Sequence, residues 1–134
     1  MIPVGTTHEM TWTVEPQHLA SAFGSGLVDV LATPVLVGFC EEVARTMVEA
    51  GLEPGQKTVG TKVSLEHLAA TPPGMTVTVR AQLTGIDRRR LCFEIDARDP
   101  VELVGRAMHE RFIIDEDRFE AGIADKRART RSAD

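Results

Sequence analysis

A hydroxyl at Thr33, a carboxylate at Glu41 and an imidazole at His67 supply the three roles that acyl transfer asks of side chains. One group positions substrate or water, one acts as base or nucleophile, and one carries a proton. Thr33 and Glu41 stand eight residues apart, so on a helix turning 100° per residue their side chains diverge by roughly 80° and share a flank. The adjacent acid, Glu42, lies roughly 180° from Thr33 by the same geometry and faces away. His67 falls among alternating apolar residues, where an imidazole needs partners for both nitrogens or access to solvent. Each residue also has a plainer reading: Thr33 as a helix cap, Glu41 as a surface partner of Arg45, and His67 as a histidine satisfied by backbone. The start of the same helix could offer the N–H of Val35 or Leu36 to a developing oxyanion, Pro34 having none.

The elements that must hold these groups are marked by period. Thr33 to Gly51 is the strongest helix, with Thr33 as cap, Pro34 in the first turn and Gly51 as the stop. Val35, Leu36, Phe39, Cys40, Val43, Ala44 and Met47 recur at helical spacing and predict one face turned into a core. Before it, His8, Met10, Trp12 and Val14 alternate as a strand would, and residues 17–32 form a small-residue stretch with Gly24 and Gly26 that suits an approach or lid. After Gly51 the period becomes two. Val59, Thr61, Val63, Leu65 and His67 are expected on one face, with Lys62, Ser64 and Glu66 on the other. A turn at Thr71-Pro72-Pro73-Gly74 leads to a strand with Val77, Val79, Ala81 and Leu83 on its inner face. A hairpin over 85–90 leads to another, with Leu91, Phe93 and Ile95 inward. A last strand over 102–114 has faces that the pattern does not sort. One long helix followed by antiparallel-looking strands excludes a doubly wound parallel fold and predicts α+β, a sheet wrapped on one helix.

At 134 residues and 14.6 kDa the chain has room for one core. The expected layout is a single domain over 1–125 and a short basic, disordered tail over 126–134. With 43% hydrophobic and 26% charged residues it has the composition of a soluble globular protein. A net charge of -5 and 4% aromatic residues argue against nucleic acid as a partner. No apolar run approaches a membrane span and the first residues show no leader pattern, so the expected location is cytoplasmic, without membrane attachment. Cys40 and Cys92 read as two reduced, buried thiols. The four histidines lack metal-ligand spacing, and Gly24-Ser25-Gly26 lacks both a phosphate-loop lysine and the third glycine of a dinucleotide fingerprint. No metal or redox cofactor is expected. Arg88-Arg89-Arg90 reads as a soluble turn, and His109-Glu110-Arg111 as a solvated strand face in which Arg111 is a minor candidate for anion contact.

Three blocks carry a resemblance: Val30-Leu-Ala-Thr-Pro-Val-Leu-Val-Gly-Phe-Cys-Glu41, then Gly60-Thr-Lys-Val-Ser-Leu-Glu-His-Leu-Ala-Ala-Thr-Pro-Pro-Gly-Met-Thr-Val-Thr-Val79, then Gly105-Arg-Ala-Met-His-Glu-Arg111. With them the chain resembles the hotdog-fold thioesterases related to the fluoroacetyl-CoA thioesterase, over most of its length. The resemblance implies a hotdog fold and catalytic roles for Thr33, Glu41 and His67. It also implies that Gly60 lies against the acyl group and that Arg111 contacts substrate. It further implies a homodimer that continues the sheet through its edges, with acyl-CoA as the small-molecule substrate and coenzyme A entering only as part of it. Where the family carries lid phenylalanines before the helix, this chain offers Gly24 and Leu27, with Phe23 out of register. A lid shapes the acyl pocket and excludes water, so the alteration leaves the acyl group unnamed. The expected function is hydrolysis of a small acyl-CoA thioester; the competing one is a hotdog protein that binds a CoA ester without cleaving it. A hydratase would need an aspartate and histidine five residues apart, a pair that does not open the helix here.

Overall fold

A computed structural model describes residues 1–133. Strand β1 (Thr7–Thr13) comes first, followed by a 3-10 turn at Pro16–His18, a one-turn helix α1 (Ala20–Phe23) and the long helix α2 (Thr33–Glu49). Strands β2 (Gln56–His67), β3 (Thr76–Asp87), β4 (Arg90–Arg98) and β5 (Leu103–Asp115) then lead to α3 (Glu116–Ala133). The five strands form one antiparallel sheet in the order β1-β3-β4-β5-β2, so β1 and β2 are its edges.

Helix α2 lies on one face of this sheet, and the expected apolar stripe is what it buries. Leu36, Phe39, Cys40, Val43, Ala44, Met47 and Val48 face inward. They meet Val77, Val79, Ala81 and Leu83 of β3, and Leu91, Phe93, Ile95 and Ala97 of β4, in one core. On β1, Trp12 stacks on Phe39 with ring centroids 4.2 Å apart, tying the edge strand to the helix. Period two and period 3.6 thus converge on one interior, as the α+β expectation requires.

Four local expectations are corrected. Thr33 is not the helix cap: Ala32 occupies that position in extended conformation, and Thr33 is already helical. Its hydroxyl is therefore free of the backbone. On β2 a bulge at Thr61 breaks the strict alternation, since Gly60 pairs with Arg111 while Lys62 pairs with the preceding residue, Glu110. Residues opposite one another in an antiparallel pair share a face, so Gly60 and Thr58 take the inner face in place of Val59 and Thr61, and Val63, Leu65 and His67 keep it. The polar tail expected over 126–134 continues α3 as helix to Ala133, with Asp134 outside the described residues. Phe119 and Ile123 are the large apolar residues of that helix and both are exposed, a signal too thin to mark an amphipathic element. Cys40 is buried as expected, and burial pushes its thiol up to about 12, whereas Cys92 is half-exposed on the outer face of the sheet.

Leu36 is fully buried where α2 meets the sheet. Leu36→Ala is expected to lower the free energy of unfolding by about 2–5 kcal/mol, read as a reduced urea midpoint with an unchanged denaturant slope.

Candidate active site

Thr33 begins α2 and His67 ends β2, and the fold brings these two ends together. Thr33 Oγ1 lies 2.7 Å from His67 Nδ1. Pro34 in the first turn sets the backbone for the helix, and Ala32 in the cap position leaves the threonine hydroxyl to the imidazole. The other ring nitrogen of His67, Nε2, is shielded from solvent and has no hydrogen-bond partner. Burial lowers the pKa of His67 below its ordinary 6.5, opposed by a hydrogen bond to the Ala69 backbone, so the ring is neutral near pH 7. A neutral imidazole with one nitrogen held and the other unpartnered is able to take or deliver a proton. The pair borders a depression of about 320 Å³ together with Ala20, Ser25, Leu31 and Leu68. Residues from the segment before α2 thus line it, while Phe23, Leu27 and Val28 of that segment remain exposed.

Glu41 is two turns further along α2 and meets a different set of groups. Its Oε2 lies 3.5 Å from Arg111 Nη1. Arg45, the expected surface partner of Glu41, pairs instead with Glu42 and Glu49. Gly60 permits the approach, because a Cβ placed there would lie 2.6 Å from Glu41 Oε2. Only a strand residue without a side chain leaves that space, and the bulge is what turns Gly60 toward it.

The expectation of a solvated face at His109-Glu110-Arg111 is overturned for two of the three residues. His109 and Arg111 are 1% and 4% exposed, on the same side of β5 as the buried Ala107 and Ile113. Arg111 Nε donates to Thr58 Oγ1 at 2.9 Å and Nη2 donates to the Thr58 carbonyl at 3.1 Å. Nη1 lies 3.2 Å from His109 Nε2, and His109 Nδ1 lies 2.7 Å from the Lys62 carbonyl. Burial lowers the pKa of Arg111, with Glu41 acting against that. Burial also lowers that of His109, where the hydrogen bond to Lys62 opposes it and Arg111 adds to it. Sequence reasoning missed Thr58 and His109 in this cluster. Continuing the alternation of Ala107 and Ile113 through positions 109 and 111 is the signal that finds the histidine. Nothing short of the bulge finds Thr58.

Within the chain, then, the structure joins Thr33 to His67 and Glu41 to Gly60 and Arg111. It does not join the two groups. Eight residues of helix separate Thr33 from Glu41, about 12 Å of rise, and Glu41 and Arg111 border a second depression of about 330 Å³ that His67 does not reach. Among the described residues no cluster of His, Cys, Asp and Glu is suited to hold a metal ion, and no helix is long and apolar enough to cross a membrane.

Residues 14–117 match the family described as fluoroacetyl-CoA-specific thioesterase. The fluoroacetyl-CoA thioesterase of Streptantibioticus cattleyicolor is 40% identical over 98 residues, covering 73% of this chain and 70% of its own. A solved structure of the fluoroacetyl-CoA thioesterase superposes with a TM-score of 0.90 at 32% identity, covering 94% of this chain and 98% of that one. A Thermus thermophilus protein described as a thioesterase superfamily member superposes at 0.92 with 27% identity, covering 98% of both chains.

The Gly60 contact predicts that Gly60→Ala displaces the Glu41 carboxylate and lowers turnover by roughly tenfold or more, with a modest fall in melting temperature because the new Cβ would also press on buried Arg111 Nη1 at 3.3 Å and His109 Cε1 at 3.4 Å. Acidification gives a second expectation. His67 and His109 both have a pKa below 6.5 in the folded chain, so unfolding lets them take up protons that the native state refuses. Their contribution to stability is complete above about pH 6.5 and is lost as pH falls below it. Urea midpoints at pH 7.5, 6.5 and 5.5 should decline in that order, and His109→Gln should flatten the decline.

Proposed function

Because the chain belongs to the fluoroacetyl-CoA-specific thioesterase family, we propose that it hydrolyses a small acyl-CoA thioester at a site made of Thr33, Glu41 and His67. The observation that carries the assignment is the Thr33–His67 pair, which borders a depression and whose shielded Nε2 is left without a partner. Glu41 either attacks the thioester carbonyl carbon directly, forming a mixed anhydride that water then cleaves to return the Glu41 carboxylate and free the acyl group as its acid, or takes a proton from a water that attacks in its place. The C–S bond breaks, and the proton given up by the attacking water reaches the departing CoA sulfur through His67, whose ring is neutral before and after. The Thr33 hydroxyl orients the ring and the reacting oxygen. Gly60 leaves room for an acyl group next to Glu41, and Arg111 supplies a fixed positive charge there. Coenzyme A enters as part of the substrate, and the chemistry needs no resident cofactor. A chain that binds CoA esters without cleaving them would show saturable binding and no thiol release.

The separation of Glu41 from His67 is resolved by a second copy of the chain. β2 is a twelve-residue edge strand, and an unpaired edge of that length is a template for pairing. Antiparallel pairing of two β2 strands about a two-fold axis near Ser64 sets Val63 opposite Leu65 on the inner face and Lys62 opposite Glu66 on the outer face. Both pairs are favourable across a sheet. The same register sets the bulged Gly60–Thr61 step opposite His67, which carries Glu41 of the partner subunit toward the Thr33–His67 pair. The working unit is therefore a homodimer with two sites, each drawing on both subunits.

Purified protein should release free thiol from a panel of short, branched and aromatic acyl-CoAs, the acyl preference being set by the segment that carries Phe23, Leu27 and Val28. Glu41→Gln and His67→Ala should each lower turnover by roughly a hundredfold or more; wild-type turnover in both would reject these roles. Co-expression of the two inactive variants should restore activity to about a quarter of wild type, since half of the dimers are mixed and each mixed dimer holds one intact site. Failure of the mixture to regain activity, with mixed dimers isolated, would overturn the shared site.

A further inference from the structure

We infer that His109 is a positioning residue for thioester hydrolysis, and that its unprotonated Nε2 holds the Arg111 guanidinium in the one orientation that presents Nη1 to Glu41. The inference rests on the assignment of Glu41 as the reacting acid and goes beyond it. A guanidinium has five N–H donors and no acceptor, and a buried one must find an acceptor for each direction in its plane. Thr58 takes two of those directions, through its hydroxyl on Nε and its carbonyl on Nη2. Nη1 is left between His109 Nε2 at 3.2 Å and Glu41 Oε2 at 3.5 Å.

The tautomer of His109 is decided by its other contact. A carbonyl oxygen only accepts, so the 2.7 Å contact to Lys62 requires the proton on Nδ1. That leaves the Nε2 lone pair facing Arg111. The opposite tautomer, or a protonated ring, would set donor against donor at Nη1. Phe93 lies against the ring, with centroids 5.8 Å apart and planes inclined by 29°, and fixes its rotation. Lys62 is the first residue after the β2 bulge, so the feature that exposes Gly60 to Glu41 also supplies the carbonyl that sets the imidazole. A line of contacts runs from the Lys62 carbonyl through His109 and Arg111 to Glu41, and its last member is half-buried and reaches a depression. The network holds a carboxylate in place where helix geometry alone would let it swing.

Three substitutions separate this role from a merely structural one. His109→Leu removes both contacts and should lower kcat by about 10- to 100-fold with KM within about twofold of wild type. His109→Gln reaches the Nε2 position with its amide oxygen and should restore kcat to within about threefold of wild type. His109→Asn reaches only the Nδ1 position and should fall with His109→Leu. In an Arg111→Met background, adding His109→Leu should cost nothing further, because a residue that acts through Arg111 has nothing left to act on. The inference is overturned if Asn rescues and Gln does not, if the losses with Arg111→Met are additive, or if kcat survives His109→Leu. The Gln and Asn variants, checked by thermal melting, decide the matter even if His109→Leu does not fold. Glu41→Gln with full turnover would instead reject the catalytic assignment on which the inference rests. Loss in Glu41→Gln combined with full kcat in His109→Leu rejects the inference alone.

Discussion

The phase of β2 is the constraint on which the rest of the site depends. A strand has a side-chain period of two, so one inserted residue reverses every position on one side of it. Without the extra residue at Thr61, the face that carries His67 would also carry Thr61 and Val59, and Gly60 and Thr58 would point away from the helix. Glu41 would then meet a side chain where it now meets a glycine, and Arg111 would lose both contacts to Thr58. One bulge thus lets a single strand serve the Thr33–His67 pair at its end and the Glu41–Arg111 contact at its middle.

The cost of this arrangement is a charge under the helix. Arg111 is 4% exposed, against a carboxylate that is only half-buried. Taking a guanidinium out of water costs several kcal/mol, and a single contact at 3.5 Å does not offset that. The structure answers by giving each of the three guanidinium nitrogens an acceptor, two from Thr58 and one from His109. Such a network favours a unique geometry more than it favours stability, which is the property the carboxylate needs for the role proposed for it. An Arg–Glu pair left to the surface would be mobile and screened.

What could be read from the chain follows the same division. The buried face of α2 and the inner faces of β3 and β4 were legible because each repeats one period without interruption, and Val77 to Leu83 or Leu91 to Ile95 leave no choice of face. The α+β hotdog architecture followed from those periods and from the Val30–Glu41 and Gly60–Val79 blocks together. Thr33, Glu41 and His67 stood out by chemical type, yet their grouping did not, since it depends on which end of α2 meets which end of β2. His109 and Arg111 were misplaced because polar residues on a strand are ordinarily solvated, and the partners that make their burial tolerable come from β2, some fifty residues earlier. The bulge has no signature in residue type. α3 was missed because helix formation there depends on backbone propensity in a polar segment, not on a buried stripe.

An unfinished hydrogen-bond inventory at a site is informative in its own right. A shielded imidazole nitrogen without a partner carries an energetic penalty in an isolated subunit, and a long bare strand edge beside it carries a hazard of misassembly. Both burdens are relieved by the same event if the edge pairs with itself. The register that would match Val63 to Leu65 and Lys62 to Glu66 is also the one proposed to carry Glu41 of a second copy toward the Thr33–His67 pair. Apolar contact and charge pairing then specify the interface without knowledge of the chemistry, and the chemistry is assembled as a consequence. In the proposed dimer the edge charges would do more than discourage aggregation: by favouring one antiparallel register over its neighbours, they would select the pairing that brings the proposed site residues together.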